Sequence, residues 1–174
     1  MKKNCILYWP KGGNVETVSR KIYNQFDKTS INIYDILSIE TTDLVNYDCL
    51  IIGCSTVGSE TWQEAEGNNK WHGFFNQLDK VNLKGKVVAL FGLGDQILYP
   101  NNFVDGMQII KNEFEKRGAR IIGKWSTEGY KFNESNAVEN DYFCGLALDE
   151  DQQDEFTDER IDQWLIQLET ELKA

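Results

Sequence analysis

Three stretches of the chain, residues 3–9, 49–54 and 87–91, are near-continuous runs of apolar and β-branched side chains with little alternation. That is the pattern of strands covered on both faces. Residues 31–36 alternate weakly, as an edge strand does, and 120–125 form a fifth candidate. Between these runs the spacing becomes helical. Val15, Val18, Ile22 and Phe26 make one stripe, and Trp71, Phe74, Phe75 and Leu78 a second. Phe103, Met107, Ile110 and Phe114 make a third, with 103–117 predicted helical, and Ile161, Trp164, Leu165, Leu168 and Leu172 a fourth. Residues 42–47 read as a short helical turn. Strand and helix alternate along the whole length, which predicts a parallel sheet covered by helices on both sides. Residues 126–148 are too long for a strand–helix loop and contain β-prone segments at 129–132 and 142–148, so a hairpin is expected to interrupt the last strand.

In such folds ligands bind at the carboxyl ends of the strands, so the loops there matter most. After 86–91 come Gly92, Leu93 and Gly94, then Asp95, Gln96, Tyr99, Pro100, Asn101 and Asn102, a polar and aromatic surface suited to a flat ring. After the first strand, Pro10-Lys-Gly-Gly13 leads into a helix that Asn14 is expected to cap. Free N–H groups and the helix dipole make such a turn a place for a phosphate, although four residues of this composition also make an ordinary turn. The third strand ends in Ser55-Thr-Val-Gly58, the last in an acidic loop at 149–155, and Thr157 with Glu159 is expected to cap the final helix.

With 174 residues, 41% hydrophobic and 26% charged, one globular domain over 1–174 is expected. No run of 18 apolar residues and no signal-peptide pattern is present, so a cytoplasmic protein is expected. Cys5, Cys49, Cys54 and Cys144 lie in or beside apolar runs with no CxxC and a single His72, which reads as buried thiols and neither a disulfide framework nor a metal site. The net charge of −10 argues against nucleic acid and anionic membrane and favours partners with basic faces.

The strings 85–96, 99–105, 126–130, 145–152 and 157–161 together resemble a long-chain flavodoxin, and the resemblance spans essentially the whole chain. It implies a flavodoxin-like three-layer sandwich, a five-stranded parallel sheet in order 2-1-3-4-5 with the hairpin inserted in the last strand. It also implies FMN as cofactor and a low-potential one-electron carrier, not an enzyme, working as a monomer between a reductase and an acceptor. By the same resemblance Leu93, Gly94, Asp95, Tyr99, Asn102, Phe103 and Asp105 belong to the loop covering one flavin face, with Tyr99 as the stacking aromatic. Asp151 falls near the ribityl chain. Ser55, Thr56, Val57 and Gly58 form the facing loop, where a backbone carbonyl meets flavin N5. Pro10, Lys11, Gly12, Gly13, Asn14 and Val15 form the phosphate loop.

Two departures from that pattern have physical weight. Hydroxyls normally stand at Pro10, Gly12 and Val15, and each hydroxyl–phosphate bond is worth roughly 1.5–3 kcal/mol. Val57 takes the place of a second stacking aromatic, a loss of about 1 kcal/mol; Trp62, in a longer segment after Gly58, is a candidate substitute. Two functions therefore compete: an electron carrier with an altered FMN site, and a protein of this fold with weakened or lost FMN binding that acts as a protein-binding module. A receiver domain of the same topology is disfavoured, because the aspartate cluster it would need after the first strand is absent.

Overall fold

The computed structural model describes residues 3–55, 57 and 70–174. Its parallel sheet has the order β2-β1-β3-β4-β5, built from β1 (Asn4–Trp9), β2 (Ile31–Asp35), β3 (Cys49–Cys54), β4 (Val87–Leu93) and β5 (Arg120–Ile122). The fifth position is shared. β5 pairs with the first half of β4 (Val87 with Arg120 to Ala89 with Ile122). β9 (Leu146–Leu148) pairs in parallel with the second half, Phe91 with Leu146 to Leu93 with Leu148.

The runs without alternation are those buried on both faces, and side chains sort by strand parity into two cores. Ile6, Tyr8, Ile51, Ala89 and Phe91 meet Val15, Val18 and Ile22 of α1 (Asn14–Asn24) and Ile161, Trp164 and Leu168 of α4 (Thr157–Lys173). Leu7, Leu50, Ile52, Val88 and Leu90 meet α2 (Trp71–Leu78) and α3 (Gly106–Glu115) on the other side. A fully buried Leu or Phe contributes about 1.5–3 kcal/mol, so this sorting is what fixes the register. All four cysteines are buried free thiols, and burial pushes Cys5 and Cys144 up to about 12.

Several boundaries differ from the expectations, each for a local reason. β4 continues through Gly92 to Leu93, because Cys54 pairs with Gly92 and Leu148 with Leu93. α3 starts at Gly106 and not at Phe103, since Val104 at φ 52° cannot continue a helix. β5 stops at Ile122, where Gly123 turns at φ 81° and its carbonyl accepts the Trp164 indole N–H at 2.8 Å. The N-caps are Gly13 for α1 and Phe156 for α4, neither with a side-chain cap bond, so Asn14 and Thr157 are not caps. The Thr157 hydroxyl instead donates to Glu150. The insertion is more than a hairpin. β7 (Val138–Glu139) and β8 (Tyr142–Phe143) turn through Asn140 and Asp141, both at positive φ, and β6 (Trp125–Ser126) adds a third antiparallel strand.

Candidate functional site

Because Trp9 pairs with Cys54, Cys54 with Gly92 and Leu93 with Leu148, the loops after β1, β3, β4 and β9 leave the sheet at one edge. Ser55, Val57, Leu93, Gly94, Asp95, Tyr99, Asn102, Phe103, Val104, Asp105 and Gly106 line a cleft of about 170 Å³ there. Tyr99 stands in it 57% exposed. Phe103 is its floor, with no exposed surface, and Val57 is buried in the facing wall. Gly106 lets that wall close in: a Cβ at this position would come within 2.4 Å of the Ser55 carbonyl oxygen. Thr56, Gly58 and Trp62 lie outside the described residues.

The polar side chains of the 94–105 loop mostly hold the loop itself. Asp95 Oδ1 accepts from the backbone N–H of Leu98 at 2.8 Å and of Ile97 at 3.0 Å, and from Gln152 at 3.1 Å. The Leu98 bond is the main reason its carboxyl lies below the usual carboxylate range. Asp105 accepts from Asn136 N at 2.7 Å and from the Asn102 amide at 3.2 Å.

The loop is held most firmly from behind. Gln96 is 1% exposed and Asp149 not at all. Asp149 Oδ2 accepts from Gln96 N at 3.0 Å and Gln96 Nε2 at 2.9 Å, while Oδ1 accepts from Asp151 N at 3.1 Å and Gln152 N at 2.9 Å. Gln96 Oε1 in turn accepts from Lys131 N. A buried carboxylate is tolerated only when donors surround it in this way. The insertion adds more: Asn133 N and Glu134 N donate to Pro100 O at 2.7 and 2.9 Å, and Ser135 Oγ to Phe103 O at 2.6 Å. Phe132, Tyr130 and Phe143 pack on the Phe103 ring with centroids 5.6–5.8 Å away. The interrupted last strand thus becomes a buttress for the ring-facing loop.

Asp149 was expected among the exposed acids of its loop; it is instead buried, leaving Asp151, Asp154 and Glu155 exposed and Glu150 half-buried. Gln96, expected on the ring-facing surface, is instead turned inward and buried against Asp149, which did not stand out as a site residue. In the sequence Asp149 stands directly after the apolar Leu146–Leu148 run, inside the string 145–152.

At the other end of the edge, Pro10, Lys11, Gly12, Gly13 and Asn14 are exposed and Val15 is buried in the core. Gly12 adopts φ 78° and gives its N–H to Glu16 Oε2 at 2.8 Å. Glu16 Oε1 also accepts from Arg20 Nη2 at 2.7 Å and Nε at 3.1 Å. Lys11 lies 3.4 Å from Asp35. Burial works to raise the Asp35 pKa, but hydrogen bonds from Ser38 and Leu37, with Lys11 beside them, outweigh it and hold the carboxyl below its ordinary value. No helix among the described residues is long and apolar enough to cross a membrane.

The family model described as Flavodoxin matches residues 6–164. The chain is 42% identical over 170 residues to "Flavodoxin" of Nostoc sp., covering 98% of this chain and 97% of that one. It is 39% identical to "Flavodoxin 1" of Salmonella typhimurium, covering 96% and 93%. Among solved structures, Fusobacterium nucleatum flavodoxin bound to flavin mononucleotide superposes with a TM-score of 0.84 at 28% identity, over 98% of this chain and 99% of that one.

Proposed function

Since the chain belongs to the flavodoxin family, we propose that it holds FMN at the carboxyl edge of its sheet and relays single electrons between a reductase and an acceptor protein. The observation that supports this most is the cleft with the open Tyr99 face, whose loop is fastened by Gln96, Asp149 and the insertion. A loop held in place by its own hydrogen bonds loses little entropy on binding. When bound, the flavin ring supplies the electron-accepting chemistry.

The two ends of the site suit FMN differently. The ring end fits: Tyr99 offers an exposed aromatic face, and Val57 and the Ser55 backbone form the wall opposite. Asp151, exposed after β9, stands at the same edge for the ribityl hydroxyls. The phosphate end offers the backbone N–H groups that begin α1, while Pro10, Gly12 and Val15 bring no hydroxyl. In this reading the chain's residues bind and orient the ring and keep water from one face, without side-chain catalysis. The acids around the edge disfavour added negative charge, which supports a low potential. Exposed Asp151, Asp154 and Glu155 together with the charge of −10 favour partners with basic faces.

A second reading, a partner-binding module of the same fold without tightly held FMN, is favoured by the phosphate loop alone. Reconstitution separates the two. Purified chain mixed with FMN and passed through gel filtration is expected to retain one flavin per chain, bleached by dithionite and restored by air. Elution free of flavin would leave the second reading.

A further inference from the structure

We propose that Glu16 sets how strongly the flavin site distinguishes FMN from riboflavin, because its carboxylate occupies the phosphate loop as a built-in anion. The inference rests on the flavin-binding reading above and concerns the one end of the site that departs from it. Where a ligand's phosphate would collect backbone N–H groups, the Gly12 N–H already points at Glu16 Oε2, 2.8 Å away. That arrangement needs glycine, since Gly12 sits at φ 78°, a backbone state costly for other residues. The other carboxylate oxygen, Oε1, is fixed by Arg20 at 2.7 and 3.1 Å. The Gly12 N–H, followed by Arg20, keeps the Glu16 carboxyl below its ordinary range, so the group is an anion at neutral pH.

The charges around the loop point the same way. Glu16 lies in the first turn of α1, where a carboxylate already offsets the positive end of the helix dipole. Lys11, the loop's own cation, is engaged with Asp35. A phosphate entering here meets a carboxylate held in an ion pair with Arg20, one N–H group already taken, and no hydroxyl from Pro10, Gly12 or Val15. Riboflavin, which has the ring and ribityl chain without the phosphate, meets none of these obstacles. The phosphate should therefore add little to affinity, and the ratio of riboflavin to FMN dissociation constants should be small.

The test titrates apoprotein with FMN and, separately, with riboflavin, following the quenching of flavin fluorescence, for the parent, Glu16→Gln and Arg20→Gln. Glu16→Gln keeps the shape and removes the charge; it is expected to raise FMN affinity tenfold or more and leave riboflavin affinity within twofold. Arg20→Gln unmasks the carboxylate and is expected to shift the ratio the opposite way. Far-ultraviolet circular dichroism of each variant checks that it is folded, and the two variants fail independently. An unchanged ratio in Glu16→Gln would mean that Glu16 swings aside at no cost, and the proposal fails while flavin binding stands. Absence of binding by either flavin in the parent would instead remove the flavin-binding reading, and this inference with it.

Discussion

Replacing Asp149 by Asn probes the fastening of the ring-facing loop with almost no change in volume. Asp149 Oδ2 accepts two donors from Gln96, and Oδ1 accepts the backbone N–H groups of Asp151 and Gln152. An asparagine can serve one of these pairs but turns its NH₂ on the other. Flipping the Gln96 amide does not rescue the network. Its nitrogen would then face the Lys131 N–H, which now donates to Gln96 Oε1. The least costly arrangement points the asparagine oxygen at Gln96, which is buried, and leaves the N–H groups of exposed Asp151 and Gln152 to find water. Unsatisfied buried donors cost about 1–3 kcal/mol each. With water restoring part of that and the loss of charge-assisted bonding added, the sum is about 2–4 kcal/mol. At a urea m-value of about 2 kcal/mol/M, typical of small proteins, the unfolding midpoint of the apoprotein should fall by about 1–2 M. A midpoint within about 0.2 M of the parent, at unchanged m, would refute the idea that this buried carboxylate fastens the loop.

Tyr99→Ala should weaken FMN about fivefold in calorimetry, since a stacked aromatic contributes about 1 kcal/mol beyond its area; equal affinity would move the ring elsewhere. Asp35 has a folded pKa below its ordinary value of 3.8. Its contribution to stability is therefore fully present above that value and lost as the pH falls through the lowered one. Asp35→Asn should flatten this acid limb in thermal melts below about pH 4, and a superimposable pH profile would contradict the assignment. Electron exchange with a basic partner should slow steeply as ionic strength rises, because exposed Asp151, Asp154 and Glu155 on a chain of net charge −10 steer the encounter. A flat salt response in stopped-flow would assign the charge to solubility alone.

The fold was legible where burial imposes a pattern. Residues such as Leu50, Ile51 and Ile52 have no solvent face, so a strand covered on both sides was the only economical reading of that run. Edges were harder, because single backbone states decide them. Nothing in the apolar stripe from Phe103 announces that Val104 takes φ 52° and delays α3 to Gly106. The capping expectations at Asn14 and Thr157 failed for a related reason: both side-chain types suit a cap, but tertiary partners and loop geometry placed Gly13 and Phe156 at the positions before the helices. At the site, the loops were legible because they follow strands whose parallel order brings them to one edge. The Gln96–Asp149 pair was not, since it joins residues far apart in sequence and carries no periodic signal. Glu16 carries no signal of its own in the sequence; only the bond from Gly12 reveals what it occupies.

The central claim is that this chain relays electrons through FMN held at the Tyr99 edge. The most direct measurement supplies NADPH, a flavodoxin-type reductase and cytochrome c, and records cytochrome c reduction as FMN-loaded chain is added. The rate should rise in proportion to loaded chain and then saturate, well above the rate with the same concentration of free FMN, and flavin-free chain should add nothing. A rate equal to that of free FMN at every concentration would contradict the account.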